Sequence, residues 1–292
     1  MRLGVLGCGY VGVELCRQLA DAGHDVVGVD RRRAARADAE VAGATAIAAD
    51  VTDADALAAV PDVDALLFTA STGGGDAAAA RRTFVDGLET TIAAFADRTE
   101  PPARIVYASS TGVYGDHRGD WVDESTPIEP RTAKTEVLAA AEAVVRETSA
   151  MAGVVARIAG IYGPGRWGLE RYLDRPVTAG WKNHAHRVDV AGALSMLAVS
   201  GKADGSVVLV VDDEPVHRWT FADWLAERLD REPSSRLTVT ERLEAGELSE
   251  RTRRRLTTSK RCSNATLRGF GYDLQYPTYR EGYRAAIEVT GD

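Results

Sequence analysis

The chain has 292 residues, 45% hydrophobic and 27% charged, enough for one large globular domain or two modest ones. A formal net charge of -8 argues against nucleic acid as the main partner, since a phosphate backbone calls for a basic face. Three cysteines without a C-x-x-C pair and a few scattered histidines speak against a disulfide framework or a metal centre, and with no leader pattern and no apolar run near ~18 residues the expectation is a cytoplasmic protein with no membrane partner.

Strand and helix signals then alternate along the chain. Short apolar runs at 3–6, 26–29, 45–49, 65–69, 105–108 and 154–158 suit buried parallel strands. Between them lie helical patterns. The first covers 11–22, with Val11, Leu15 and Leu19 on one stripe and Gly23 as its stop. A second starts near Asp53 and ends before Pro61. A third covers 77–96, with Phe84, Leu88, Ile92 and Phe95 on one face, and a fourth covers 132–148. This alternation predicts an α/β fold, a Rossmann-type doubly wound parallel sheet with helices on both faces. The second half is less regular: a glycine-rich loop at 160–168, a helix at 189–200, a strand at 207–211 and a helix at 220–229. A charged helix at 241–256 and short helices at 264–270 and 278–289 follow. The expected organisation is a nucleotide-binding core over 1–155, to which the chain returns at about 187–215, and a smaller, mainly substrate-side region over 156–292.

The most specific local pattern is Gly7-Cys8-Gly9-Tyr10-Val11-Gly12, between a strand and a helix. In G-x-G-x-x-G the first glycine makes the turn, the second lets a pyrophosphate approach the backbone, and the third lets helix and strand pack closely. Backbone N–H groups at Tyr10 and Val11 and the helix dipole then face the phosphates. Asp30 ends the next strand 18 residues after Gly12, where a carboxylate accepts hydrogen bonds from the ribose of NAD. Arg31, Arg32 and Arg33 follow it, and a guanidinium there pairs with the 2′-phosphate of NADP unless the three form a solvated face, so NAD is expected and NADP stays open. Asp50 and Val51 are placed to bracket the adenine, although Asp50 could equally cap the following helix. Ala70 lies at the carboxyl end of the fourth strand, where such sheets bind ligands.

Ala108-Ser109-Ser110-Thr111-Gly112-Val113-Tyr114-Gly115 resembles the "SS-x-x-VYG" segment of extended short-chain dehydrogenase/reductases, the superfamily of sugar-nucleotide epimerases and dehydratases. Arg157-Ile158-Ala159-Gly160-Ile161-Tyr162-Gly163-Pro164-Gly165-Arg166, His186-Arg187-Val188-Asp189-Val190-Ala191 and Val210-Val211-Asp212-Asp213-Glu214-Pro215-Val216 resemble further motifs of that family, in order. Tyr276-Pro277-Thr278-Tyr279-Arg280-Glu281-Gly282 is similar to the ending of an atypical epimerase-like subgroup.

The resemblance implies roles for single residues. Ser110 matches the hydroxyl that hydrogen-bonds the reacting substrate oxygen. The family's proton-transfer group is the Tyr of Y-x-x-x-K, and here the segment reads Pro130-Arg131-Thr132-Ala133-Lys134-Thr135. Lys134 fills the Lys slot with Pro130 in the Tyr slot; the other alignment puts Arg131 and Thr135 there. Neither supplies the tyrosine, which leaves Tyr107, Tyr114, Tyr162, Glu129 or a water held by Ser110 as substitutes. Thr111, Arg157, Arg166, His186 and Arg187 fall in segments that line the family's substrate pocket, and Arg suits a diphosphate. A homodimer through the helices at 77–96 and 132–148 is also implied. Two readings follow. One is an NAD(P)-dependent oxidoreductase or epimerase for a sugar nucleotide or related carbohydrate. The other is a dinucleotide-binding regulatory or scaffold protein with a degenerate active site.

Overall fold

The computed structural model describes residues 1–249, 252–253 and 256–291. Its first part alternates β1 (Arg2–Leu6), α1 (Tyr10–Asp21), β2 (Asp25–Val29), α2 (Arg33–Val41), β3 (Thr45–Ile47), α3 (Ala54–Leu57) and β4 (Ala65–Phe68). A long helix follows as α4 (Ala77–Arg81), a π-helical turn (Arg82–Asp86) and α5 (Gly87–Ala96). Then come β5 (Arg104–Ser110), a 3-10 turn (Thr111–Tyr114), β6 (Trp121–Val122), α6 (Ala133–Glu147) and β7 (Ala152–Ile158).

Seven parallel strands form the sheet in the order β12-β7-β5-β4-β1-β2-β3, with β12 (Val207–Val210) from the second half pairing β7 at the edge. The period of two along each strand divides the core into two layers. Leu3 and Val5 of β1 join Leu15 and Leu19 of α1 on one face, together with Leu194 and Leu197 of α8 (Arg187–Ser200). Leu6, Leu66 and Phe68 face Leu88 and Phe95 of α5 and Val137 and Val145 of α6 on the other. Each leucine buried in this way contributes roughly 1.5–3 kcal/mol. This is the doubly wound α/β architecture expected from the alternation.

Several elements depart from expectation. Helix α2 has no leucine, isoleucine or phenylalanine, and only Ala35 and Ala39, at i and i+4, are buried on it. The helix at 77–96 contains the π turn, which no hydrophobic period announces. The loop at 160–168 opens with β8 (Gly160–Tyr162), paired in parallel with β11 (His184–His186). The charged helix expected at 241–256 is interrupted: α10 (Val239–Glu244) starts at a Thr238–Glu241 capping box and stops before Gly246, and Thr252, Arg253 and Leu256 are again helical. Residues 250–251 and 254–255 of that expectation lie outside the described residues.

Beyond the sheet, the chain builds a third apolar cluster from α7 (Glu170–Leu173), α9 (Arg218–Arg228) and the two last helices, with Tyr162, Phe221, Tyr279 and Tyr283 at its centre. Short ladders join distant segments there. Arg261 and Cys262 pair with Trp121 and Val122 of β6.

A linked set of polar groups is buried between α6 and the sheet. Glu142 of α6 accepts from Arg157 Nη2 at 2.7 Å and from Nε at 3.1 Å, and from the Ser109 hydroxyl at 2.6 Å. Arg157 Nη1 donates to the Tyr114 hydroxyl at 2.8 Å, which in turn donates to the carbonyl of Asp123. Both charged residues are almost fully buried, so the pair cannot be replaced by water. It ties α6, β5, β7 and the 3-10 turn together. Removing one partner of such a pair costs about 3–5 kcal/mol, because the other charge stays buried. Glu142→Ala is therefore expected to lower the unfolding free energy by that amount, read as a lower urea midpoint, and Glu142→Leu combined with Arg157→Met to recover most of it. An unchanged midpoint in the single variant would show that the pair does not hold α6 to the sheet.

Candidate functional site

The sheet order reverses between β1 and β4, and there the chain leaves a cleft at the carboxyl ends of the strands. The turn after β1 sits at its centre. Gly7 has φ +108, and a Cβ on it would lie 2.4 Å from the backbone of Ala70. A Cβ on Gly12 would lie 2.0 Å from the carbonyl oxygen of Gly7. Backbone thus packs on backbone, and α1 begins directly over the turn. Its N-cap is Gly9, with no side chain to cap it and no acid in the first turn. The N–H groups of the first turn have no intrahelical acceptor and point into the cleft with the positive end of the helix dipole. These features fit the pyrophosphate of a dinucleotide.

At one end the cleft holds about 110 Å³, between Gly7, Gly9, Asp30, Arg31, Arg32, Asp50, Val51, Ala70 and Thr83. Asp30 is buried at the end of β2, and Arg32 closes on its carboxylate. Arg31 donates to Asp50 at 3.0 Å. Burial pushes the Asp50 carboxyl up, but hydrogen bonds from Thr52 and Arg31 outweigh it and hold it below its ordinary range. The cap of α3 is Asp53 rather than Asp50, so Asp50 stays with the wall of the cleft.

At the other end lies a cavity of about 320 Å³ that Tyr10, Val11, Ala70, Ser110, Lys134 and Arg166 all line. Ser110 ends β5, and its Oγ accepts the N–H of Gly112 at 3.1 Å. The hydroxyl proton remains free to be donated into the cavity. Lys134 stands on the first turn of α6, behind the Thr132 cap. The expected pair therefore lines one cavity. Thr135, the alternative occupant of the Lys slot, is buried and closes the capping box, while Arg131 is exposed and pairs with Glu129. The π turn separates two neighbours: Thr83 faces the ribose end and Phe84 the Ser110 cavity. Beyond Lys134 and Arg166 the space widens into a chamber of about 580 Å³ bounded by residues 71–76 and Thr132.

The candidate substitutes for the missing tyrosine lie elsewhere. Tyr107 is buried in the α5–α6 core, and burial pushes its phenol far up. Tyr114 is spent on Arg157 and Asp123, and burial pushes it up to about 12. Tyr162 stacks on Tyr283 in the third cluster at 4.5 Å. Glu129 is exposed. The tyrosine on the cavity wall is Tyr10, from the glycine loop itself. Its ring lies between the guanidinium groups of Arg166 and Arg187, at 4.1 and 4.6 Å, and its hydroxyl donates to Pro164 at 2.9 Å.

The expected substrate-side residues divide. Arg166 reaches the cavity, while Arg187 lines a shallow groove on the far side of Tyr10. Thr111 is buried at the start of the 3-10 turn. Arg157 belongs to the core ion pair, because its guanidinium meets Glu142. His186 is buried, and its Nδ1 accepts the N–H of Val188 to cap α8. Its ring packs 3.8 Å from Tyr276, and burial lowers its pKa to about 4. His184 and His186 lie two apart on a strand, so both face the same side and meet Tyr162. Among the described residues no group of three or more His, Cys, Asp or Glu could hold a metal ion, and no helix is long and apolar enough to cross a membrane.

Comparison with known proteins agrees with this geometry. The model of the NAD dependent epimerase/dehydratase family matches residues 4–209. Protein YeeZ of Escherichia coli K12 is 28% identical over 243 residues, 80% of this chain and 85% of that protein. A conserved protein from Silicibacter pomeroyi superposes with a TM-score of 0.76 at 27% identity, covering 100% of this chain and 99% of its own. The dTDP-glucose 4,6-dehydratase DesIV of Streptomyces venezuelae, solved with NAD, shares the fold with a TM-score of 0.78 at 21% identity, over 99% of this chain and 96% of its own.

The glycines give a separable test. A Cβ at Gly9 would meet only Arg32 Nη2, at 3.9 Å, and its φ of -88 suits any residue. Gly9→Ala is expected to fold within about 0.5 kcal/mol of the parent yet to bind a dinucleotide at least roughly ten-fold more weakly, since the methyl occupies the path of the pyrophosphate. Gly12→Ala is expected to lose ~3 kcal/mol or more of stability, through the clash with Gly7. Thermal denaturation and dinucleotide titration of both variants check this; equal behaviour of the two would refute it.

Proposed function

We propose, from the premise that the chain belongs to the NAD dependent epimerase/dehydratase family, that it is an NAD(P)-dependent oxidoreductase or epimerase. Its substrate is a sugar nucleotide or a related carbohydrate, and hydride moves at a hydroxyl- or carbonyl-bearing carbon. One observation carries this reading. The pocket at Asp30 and the cavity that Ser110 and Lys134 line adjoin at the glycine loop, sharing Gly9, Thr69, Ala70 and Ser71. In this reading residues 1–155 hold the cofactor and 156–292 mainly shape the substrate side.

The nicotinamide, when bound, supplies or accepts the hydride. The protein's part is to hold the reacting oxygen and move its proton. Ser110 donates to that oxygen with the hydroxyl proton that its bond to Gly112 leaves available. Lys134 lines the same cavity and brings an ammonium with three N–H donors to it. It therefore takes the proton-transfer part that the absent tyrosine would play, which is worth roughly 10²–10⁴-fold in rate. Arg166 and the wide chamber beyond it receive the rest of the substrate, with the guanidinium suited to a phosphate.

A second reading, a dinucleotide-binding regulatory protein, is favoured by the hydroxyl of Tyr10 being spent on Pro164. The two separate in one experiment: a panel of sugar nucleotides with NAD or NADP, with products followed by NMR. Turnover is expected, with Ser110→Ala and Lys134→Met each lowering it roughly 10²-fold or more while Ser110→Ala keeps its dinucleotide affinity. Intact cofactor binding without turnover across the panel would leave the regulatory reading.

A further inference from the structure

Tyr10 belongs to two parts of the cleft at once. It is the first residue of α1, so its backbone lies in the phosphate turn, whose N-cap Gly9 offers no side chain. Its side chain leaves the turn and meets the loop at 163–168, which carries Arg166. The hydroxyl donates to the carbonyl of Pro164 at 2.9 Å. Burial raises the phenol above its ordinary value against the pull of Arg187 and Arg166, so the hydroxyl stays protonated and keeps that bond. One guanidinium lies on the ring at 4.1 Å, from Arg166, and another at 4.6 Å, from Arg187 at the start of α8.

The loop has little regular structure of its own. Gly163, Gly165 and Gly168 all have positive φ, and residues 164–166 are exposed. A Cβ on Gly163 would lie 3.0 Å from the Tyr10 hydroxyl, so the loop backbone packs directly on that side chain. Inside the loop the Arg166 N–H donates to the carbonyl of Gly163 at 2.8 Å. The later half is anchored separately: the Tyr283 hydroxyl donates to the carbonyl of Trp167 at 3.3 Å. Arg166 lines both the Ser110 cavity and the outer chamber, so its position decides how the two connect. An exposed guanidinium has many rotamers, and stacking on a fixed ring removes most of them.

We propose, resting on the reading of the cleft as a dinucleotide site, that Tyr10 is a positioning residue. It ties the phosphate turn to the loop at 163–168, so that a dinucleotide bound at the turn fixes Arg166 in the cavity. The pyrophosphate holds the backbone of Tyr10, and the stiff phenol carries that constraint to Pro164 and Arg166. By linkage, whatever fixes the loop also favours the dinucleotide.

The test needs no substrate. Trypsin cuts after arginine, so cleavage between Arg166 and Trp167, identified by mass spectrometry, reports opening of the loop. The full chain, Tyr10→Phe and Tyr10→Leu are digested with and without saturating NADH or NADPH, whichever the parent binds. The cut after Arg118, an exposed residue of another loop, is the reference, and circular dichroism and dinucleotide fluorescence confirm folding and occupancy. Without dinucleotide, Tyr10→Leu is expected to be cut after Arg166 roughly ten-fold faster than the parent. Tyr10→Phe keeps the ring, loses the bond to Pro164 and is expected to fall between them. Dinucleotide is expected to slow the parent's cut by about five-fold or more and to leave that of Tyr10→Leu unchanged, although its backbone N–H groups still bind. Equal protection in Tyr10→Leu and the parent overturns the tie, because the dinucleotide then holds the loop directly. A Tyr10→Leu cut no faster than the parent's overturns it too. If Tyr10→Leu does not fold or bind, Tyr10→Phe decides, and a cut at the parent's rate overturns the tie. A parent that binds neither dinucleotide defeats the cofactor reading; one that binds but leaves its loop unprotected defeats the tie alone.

Discussion

The functional cleft depends on one steric constraint, the contact of the turn after β1 with the first turn of α1 and with the end of β4. The missing Cβ atoms of Gly7 and Gly12 let the Gly7 carbonyl, the Gly12 backbone and Ala70 meet at distances no side chain would allow. That contact sets the start of α1 above the point where the strand order reverses. Its free N–H groups therefore face the gap between two diverging sets of loops. Asp30 and Asp50 stand on one side, and Ser110 and Lys134 on the other. Moving α1 outward by the width of a methyl group would separate the two ends of the cleft.

The second half of the site depends on a different force. Ser110 and Lys134 come from a strand and a helix that share no backbone hydrogen bonds. Their spacing is set by Glu142, which binds Ser109 and Arg157 together beneath them. A buried ion pair of this kind adds little net stability, but it fails sharply when broken. It therefore fixes register more than it strengthens the fold. The C-terminal segment is pinned to α8 by Asp189, which accepts the N–H groups of Gln275 and Tyr276 at 2.6 and 2.9 Å. His186 lies beside it among aromatic rings.

The elements legible in the sequence were those whose signal is local. The stripe of Val11, Leu15 and Leu19 and the stop at Gly23 mark α1, because a helix face has one period and a glycine takes a positive φ without strain. Helix α2 left no such trace, since two buried alanines carry its contact with the sheet. At 241–256 the described residues are helical at 241–244 and again at 252, 253 and 256, with a break before Gly246 that the charge pattern does not announce. At His184 and His186 no local signal marks a strand, which forms by pairing with β8. The missing tyrosine was visible at Pro130, but not the position of Tyr10, whose ring is held by arginines about 150 residues or more further along the chain.

The sequence by itself determined the α/β alternation, the phosphate turn, the acid at Asp30 and the absence of the tyrosine at Pro130. Each is written in residues that are neighbours along the chain, so spacing and residue type suffice. Only the tertiary structure decided that Arg157 is a core ion-pair partner, that His186 caps a helix, and that Arg32 covers Asp30. These depend on which charged group finds its partner once the chain has closed. An arginine's role follows from the burial and charge of what lies within reach of its side chain, and the chain order does not record that.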